Sequence, residues 1–200
     1  MRIIAGKARG RRLFTPVGNR VRPTADRVKE SVFNIIGMRL QDASVLDLFC
    51  GTGNLGLEAW SRGAASVTLV DFHKDSMQLA EKNRNLLGAK EVELVKNDVL
   101  QAVHAFANQH RVFDWVFCDP PYRQGWITRL LKADSLSVVV GADGTLVFEH
   151  DRRETQEVLE AAVGRWQVLR QAAYGDTTVS FLIRLSSKTE EHEEDGLCEE

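Results

Sequence analysis

From residue 45 onward, apolar runs of strand length at 45–49, 67–71, 92–95, 113–118 and 145–149 alternate with segments of helical periodicity at 55–62, 74–87, 99–107, 125–133 and 154–163. Gly88 and Gly164 stand where the second and the last of these helices should stop. Strands alternating with helices predict a parallel sheet. The last two runs, 167–173 and 178–185, have no helix between them, only a turn containing Gly175-Asp176, so they predict a hairpin that closes the sheet with an antiparallel strand. Upstream, Arg2-Ile3-Ile4-Ala5 and Arg11-Arg12-Leu13-Phe14 flank the stretch from Gly6 to Gly10 and precede Pro16, which reads as a short basic β-hairpin. Thr24, after Pro23, is expected to cap a helix whose Val28, Val32, Ile35 and Ile36 recur at i, i+4, i+7 and i+8.

Composition adds limits. The chain has 200 residues, of which 44% are hydrophobic and 27% charged, enough for one domain with a continuous core. Three cysteines, Cys50, Cys118 and Cys198, lie far apart and outside any Cys-x-x-Cys or Cys/His cluster, which suggests neither a disulfide framework nor a zinc site and fits a reducing cytoplasm. No apolar stretch is long enough to span a membrane, and charge interrupts the first ten residues before a signal sequence forms. The net charge of -2 conceals polarity: residues 1–30 carry nine Lys/Arg against two acids, and residues 186–200 one Lys against seven acids. The first cluster reads either as a solvated face or as a polyanion-binding edge, with Arg9, Arg11 and Arg12 as candidate contacts to the polyanion. The second predicts a disordered tail. The expected division is a basic arm at 1–23, a main domain at 24–185 and an acidic tail at 186–200.

Chemistry concentrates in two segments. Asp47-Leu48-Phe49-Cys50-Gly51-Thr52-Gly53-Asn54-Leu55-Gly56 is a strand end, a glycine turn and a helix start. Gly51 and Gly53 let backbone approach a ligand, and Gly56 lets the helix lie close on the strand. A dinucleotide brings a pyrophosphate to that helix N-terminus, where Asp47 would repel it. S-adenosylmethionine, with an ammonium, a sulfonium and no phosphate, matches Asp47 in charge; an acid satisfying turn amides is the structural alternative. Asp71, 24 residues on at the end of the next strand, can accept ribose hydroxyls with either cofactor. Asp98, after the third strand, can face an adenine amine or cap the following helix, and the two roles are compatible.

The second segment is Asp119-Pro120-Pro121-Tyr122, at the end of the fourth strand. A Pro-Pro pair is expected about once in 400 positions. A rigid turn accounts for the prolines but not for the flanking acid and aromatic. The exocyclic amine of a nucleobase is a poor nucleophile because its lone pair is delocalised into the ring. The Asp119 carboxylate and the Pro120 carbonyl can each accept one amine hydrogen and turn the lone pair outward, while Pro121 stiffens the turn and Tyr122 stacks on a flipped base. Methyl transfer then needs positioning more than a strong base. Cys118 points to the opposite side of the strand from Asp119 and reads as a core residue.

With these two segments the chain resembles class I S-adenosylmethionine-dependent amino-methyltransferases, which carry an [Asn/Asp]-Pro-Pro-aromatic signature. Arg2-Ile3-Ile4-Ala5-Gly6, Arg9-Gly10-Arg11 and Arg22-Pro23-Thr24-x-Asp26-Arg27-Val28-Lys29-Glu30-Ser31-x-Phe33-Asn34 narrow the resemblance to the RsmD family, bacterial 16S ribosomal RNA guanine-N2 methyltransferases. The resemblance spans residues 1–185. It implies an α/β, Rossmann-like methyltransferase fold with seven mostly parallel strands, S-adenosylmethionine as cofactor, and N2-methylguanine in small-subunit RNA as product. It also implies that Arg22 and Thr24 border the cofactor pocket, that Asp71 and Asp98 contact ribose and adenine, and that Phe often replaces Tyr122. The expected partner is 16S ribosomal RNA within a small-subunit particle, met by a cytoplasmic monomer. Adenine-N6 or cytosine-N4 methylation uses the same four residues and stays open on the residues alone. A non-catalytic RNA-binding assembly factor would show a degraded glycine loop or lack Asp119, and a dehydrogenase has no use for Asp119-Pro120-Pro121-Tyr122.

Overall fold

Seven strands form one sheet in the order β3-β2-β1-β4-β5-β7-β6. They are β1 (Ser44–Leu48), β2 (Ser66–Asp71), β3 (Val92–Lys96), β4 (Phe113–Cys118), β5 (Val140–Asp151), β6 (Trp166–Tyr174) and β7 (Thr177–Arg184). The first five pair in parallel, and β7 lies antiparallel between β5 and β6. The structure, a computed structural model, describes residues 1–16 and 23–185, with the side chains of 23–25 outside that description. The expectations for Arg22, the Thr24 side chain and the acidic tail therefore lie outside the described residues.

Helices α1 (Pro23–Ile36), α2 (Asn54–Ser61) and α3 (Lys74–Leu87) cover one face of the sheet. The other is covered by α4 (Val99–Asn108), α5 (Trp126–Leu131), α6 (Asp134–Val139) and α7 (Thr155–Ala162). Successive residues of β4 serve opposite cores: Phe117 meets Phe33 with ring centroids 5.5 Å apart, while Val116 and Cys118 join Leu46, Phe106 and Phe148. Burial on both faces is why these strands read as continuous apolar runs. Each fully buried Leu or Phe adds about 1.5–3 kcal/mol. Among the described residues no helix is long and apolar enough to cross a membrane.

The structure corrects the expected boundaries in four places. Helix α1 starts at Pro23, so Thr24 lies inside its first turn instead of capping it; proline suits that first position because its missing N–H needs no partner. The helix expected to run to residue 133 ends at Leu131, and the short α6 follows, anchored by only two buried residues, Leu136 and Val139. Strand β5 begins at Val140, five residues early, because a bulge opposite Phe113 absorbs the turn-like Gly141-Ala142-Asp143-Gly144. The basic N-terminal hairpin is pinched to a single bridge, Arg2 to Arg12. Its inner backbone groups turn to α2 instead: Ile4 and Ala5 N–H donate to the Glu58 carboxylate at 2.7 and 3.0 Å, and Lys7 N–H to the Ser61 carbonyl at 2.8 Å. Gly6 lies so close that a Cβ there would sit 1.8 Å from the Ser61 carbonyl oxygen.

Candidate active site

The chain runs from β1 outward through β2 and β3, then returns to place β4 on the other side of β1. Such a reversal leaves a crevice at the carboxyl ends of the two central strands. Asp47 stands beside Phe117 in the ladder, so the glycine loop and the Asp119-Pro120 turn leave the sheet side by side. A cavity of about 280 Å³ opens there, lined by Asp47, Phe49, Gly51, Asn54, Asp119 and Glu149, among others. A second, of about 610 Å³, continues past Phe49 and Asp119 to Asp71, Asp98, Tyr122 and Trp126. All four motif residues and five of the six described cofactor candidates line this crevice; Gly53 faces the core instead, where a Cβ would meet Leu69 at 3.0 Å and Leu57 at 3.1 Å.

The glycine loop is held from below. Asp47 is 1% exposed, and one of its carboxylate oxygens accepts the Gly56 N–H at 2.8 Å. A Cβ on Gly56 would meet Leu69 at 2.3 Å, so glycine is what lets α2 lie against β2. Phe49 adopts a left-handed φ of 57°, a strained conformation for a non-glycine residue, and its ring meets Trp126 edge-on at 4.9 Å. Asp71 accepts N–H groups from Gly51 at 2.9 Å and His73 at 2.8 Å, tying the loop to the start of α3 while each oxygen keeps a lone pair. Asp98 caps α4 by accepting from Leu100 and Gln101 N–H at 3.0 and 3.2 Å through one oxygen, and it lines the second cavity. For Asp47 and Asp98 the structural roles hold, and both remain compatible with ligand contacts.

Asp47 supplies the test of fit to a cationic cofactor. Burial pushes its carboxyl up to about 7, the Gly56 N–H opposes this, and the Asp71 charge adds to it. Its uncompensated charge at the cavity floor suits a ligand bringing an ammonium or sulfonium, and the open space above Gly51 leaves room for one. A carboxyl raised from 3.8 to about 7 contributes stability below its unfolded value and loses it as pH rises through 7. Asp47→Asn is therefore expected to stabilise the ligand-free protein increasingly from pH 4 to 8, by on the order of 2–4 kcal/mol at the upper end. The same change should weaken S-adenosylmethionine binding by about 1–3 kcal/mol. Thermal melts across pH, paired with calorimetry, check both signs.

The loop after β4 is fastened to β5. The Tyr122 hydroxyl donates to Glu149 Oε1 at 2.8 Å, Arg123 N–H donates to Glu154 at 2.7 Å, and the Arg123 guanidinium pairs with Asp151. Asp119 itself is exposed to the crevice, and among the described residues its carboxylate has no hydrogen-bond partner. The crevice walls, with Glu149 and Asp47 behind it, push its carboxyl well above the ordinary range. Burial likewise raises Glu149, against the opposing Tyr122 hydroxyl. Burial also raises the Cys118 thiol, on the far face of the strand as expected, and suppresses its thiolate.

Two groups outside the sequence expectations support this architecture. Glu149 ends an apolar run beside β4, and a carboxylate at a strand's carboxyl edge was the signal available for it. Lys29, counted above among the arm's bases, is 2% exposed; its ammonium donates to the Arg2 carbonyl at 2.7 Å and Asn54 Oδ1 at 2.8 Å and lies 3.2 Å from the fully buried Glu58. Desolvation lowers its pKa, with Glu58 pulling the other way. Asn83 joins Phe14 backbone to the Thr52 carbonyl, and Met1 and Pro16 line the first cavity. The arm thus walls the crevice, and its Arg2, Arg9, Arg11 and Arg12 are exposed without an ion pair among the described residues.

Comparison with known proteins places this chain in a family. The model described as conserved hypothetical protein 95 matches residues 1–183. A candidate rRNA methyltransferase, YlbH of Bacillus subtilis (strain 168), is 38% identical over 181 residues, covering 90% of this chain and 97% of its own. Ribosomal RNA small subunit methyltransferase D of Escherichia coli (strain K12) is 33% identical over 175 residues, covering 88% and 85%. The solved structure of yhhF, a candidate methyltransferase from Escherichia coli, superposes with a TM-score of 0.74 at 30% identity, over 92% of this chain and 97% of that one. The fold is that of the class I, Rossmann-like methyltransferases. This chain belongs to the conserved hypothetical protein 95 family, the RsmD family of ribosomal RNA methyltransferases.

Proposed function

We propose that the chain methylates the exocyclic N2 amine of a guanine in 16S ribosomal RNA, acting as a monomer on a small-subunit particle. The observation that carries this reading is the meeting of Asp119, Pro120 and Tyr122 with the glycine loop at one crevice. S-adenosylmethionine, the cofactor of this family and fold, supplies an activated methyl group. Asp47, Phe49, Gly51 and Gly53 would hold its charged end, and Asp71 and Asp98 its adenosine. Asp119 carboxylate and Pro120 carbonyl hold the two amine hydrogens, which aims the lone pair into the crevice. Pro121 fixes the direction of that turn, and Tyr122 packs its ring on the base, its hydroxyl already committed to Glu149.

The arm supplies phosphate contacts. Arg9, Arg11 and Arg12 stand exposed on a hairpin whose ends line the cofactor cavity. Replacing all three with Ala is expected to weaken RNA binding and flatten log affinity against log salt by up to about 2–3 units, with S-adenosylmethionine affinity unchanged. Filter binding across a salt series measures this; an unchanged slope removes the arm from the RNA interface. Arg123, in the loop after Tyr122, has its guanidinium held by Asp151 and its backbone N–H by Glu154.

The whole reading is tested in cells. A strain lacking its own family member should regain one methylated guanine in small-subunit RNA when given this chain, and not when given Asp119→Ala. Recovery of a methylated adenine or cytosine overturns the proposed target.

A further inference from the structure

Cys118 and Phe148 are opposite one another in the β4–β5 ladder, so Asp119 and Glu149 follow at the same level of adjacent strands. They also share a face, because Phe117 and Val147, two residues earlier on each strand, belong to the same core cluster. Parallel neighbours lie about 4.8 Å apart, close enough for two carboxylates to converge on one small ligand edge. Both line the first cavity, and the donor given to this pair among the described residues is the Tyr122 hydroxyl, on Glu149 Oε1. Oε2 of Glu149 and both oxygens of Asp119 are left as acceptors.

Acceptors held together this way are complementary to a ligand edge made of donors. Among the nucleobases that carry an exocyclic amine, the atom beside that amine differs. Guanine offers a donor, N1–H, next to its N2 amine, whereas adenine N1 and cytosine N3 are acceptors. An acceptor facing Glu149 leaves two lone-pair sites opposed in a confined space, at a high cost. We infer that Glu149 is the specificity-determining residue that selects guanine, accepting N1–H through Oε2 while Asp119 and Pro120 hold the neighbouring amine. The inference rests on the amine-methylation reading above and assigns it a residue for choosing the base.

2-Aminopurine tests this, since it keeps the N2 amine but has an unprotonated N1. Small-subunit RNA carrying either guanine or 2-aminopurine at the acceptor position is prepared by ligation, reassembled with small-subunit proteins, and methylated with labelled S-adenosylmethionine. Wild type should prefer guanine by about 100-fold or more in kcat/KM, because a site built around a substrate N–H rejects the analogue lacking it. Glu149→Gln keeps an oxygen for Tyr122 but can turn an amide donor to the base, and should bring the preference within about 10-fold. Tyr122→Phe, which removes only the hydroxyl, should keep the wild-type ratio. Wild type using both bases equally overturns the inference whether or not a variant folds. So does Glu149→Gln slowing both substrates with the ratio intact, or Tyr122→Phe losing the ratio as well. Label appearing on adenine or cytosine in wild type instead overturns the amine-target reading itself, and is read before any variant is made.

Discussion

Turnover should fall at least about 100-fold in Asp119→Ala, with S-adenosylmethionine affinity nearly unchanged, because the carboxylate meets the amine only in the reactive complex. Its position supports a large effect: Asp119 is exposed to the crevice and, among the described residues, unengaged by protein donors. Removing it therefore breaks no internal hydrogen bond, and the fold should remain intact by circular dichroism. Asp119→Asn retains one acceptor oxygen and should fall between the two. Because crevice walls and neighbouring carboxylates hold the Asp119 carboxyl well above the ordinary range, wild-type kcat/KM should drop as pH falls through that raised value. That limb should flatten in Asp119→Asn. Single-turnover rates across pH, with calorimetry for cofactor, measure all three; an active Asp119→Ala would remove this carboxylate from the chemistry.

The largest effect on stability is expected at Glu58. Its carboxylate, fully buried, accepts from Ile4, Ala5 and the Arg62 guanidinium and pairs with buried Lys29. Glu58→Gln leaves the Lys29 ammonium buried without its countercharge, a loss of about 3–5 kcal/mol. In a domain of this size that lowers the melting temperature by on the order of 10 °C. Because Lys29 also holds the Arg2 carbonyl and Asn54, the arm and the glycine loop should loosen together, seen as faster amide exchange in both. Lys29→Met added to Glu58→Gln removes the stranded charge and should recover part of the loss. A double variant as unstable as the sum of the two singles would mean that the ion pair itself contributes nothing.

How much of this was legible in the sequence depends on how local each signal is. The glycine loop and Asp119-Pro120-Pro121-Tyr122 each place their chemistry within a dozen consecutive residues at a strand end, and strand-helix alternation alone places strand ends at one edge. Strand β4 and helix α3 lie where their patterns put them, since apolar runs and a stop glycine are local properties. Glu149 was hidden because its partner, Tyr122, comes from another strand's loop. Lys29 looked like one more surface base because nothing near it in sequence reveals Glu58, 29 residues on. The bulged start of β5 was masked by two glycines that imitate a turn, and the hairpin keeps cross-arm bonds only from Ile3, Gly10 and Leu13 because the N–H groups of Ile4, Ala5 and Ala8 found side chains on α2.

The central claim, guanine N2 methylation by this crevice, is met most directly by one measurement. Purified chain is incubated with methyl-labelled S-adenosylmethionine and small subunits from cells lacking the family member, and the RNA is digested to nucleosides and resolved. Label should appear in N2-methylguanosine at one molecule per particle, and disappear with Asp119→Ala. Label in another nucleoside, or label transferred equally well by Asp119→Ala, would contradict the account.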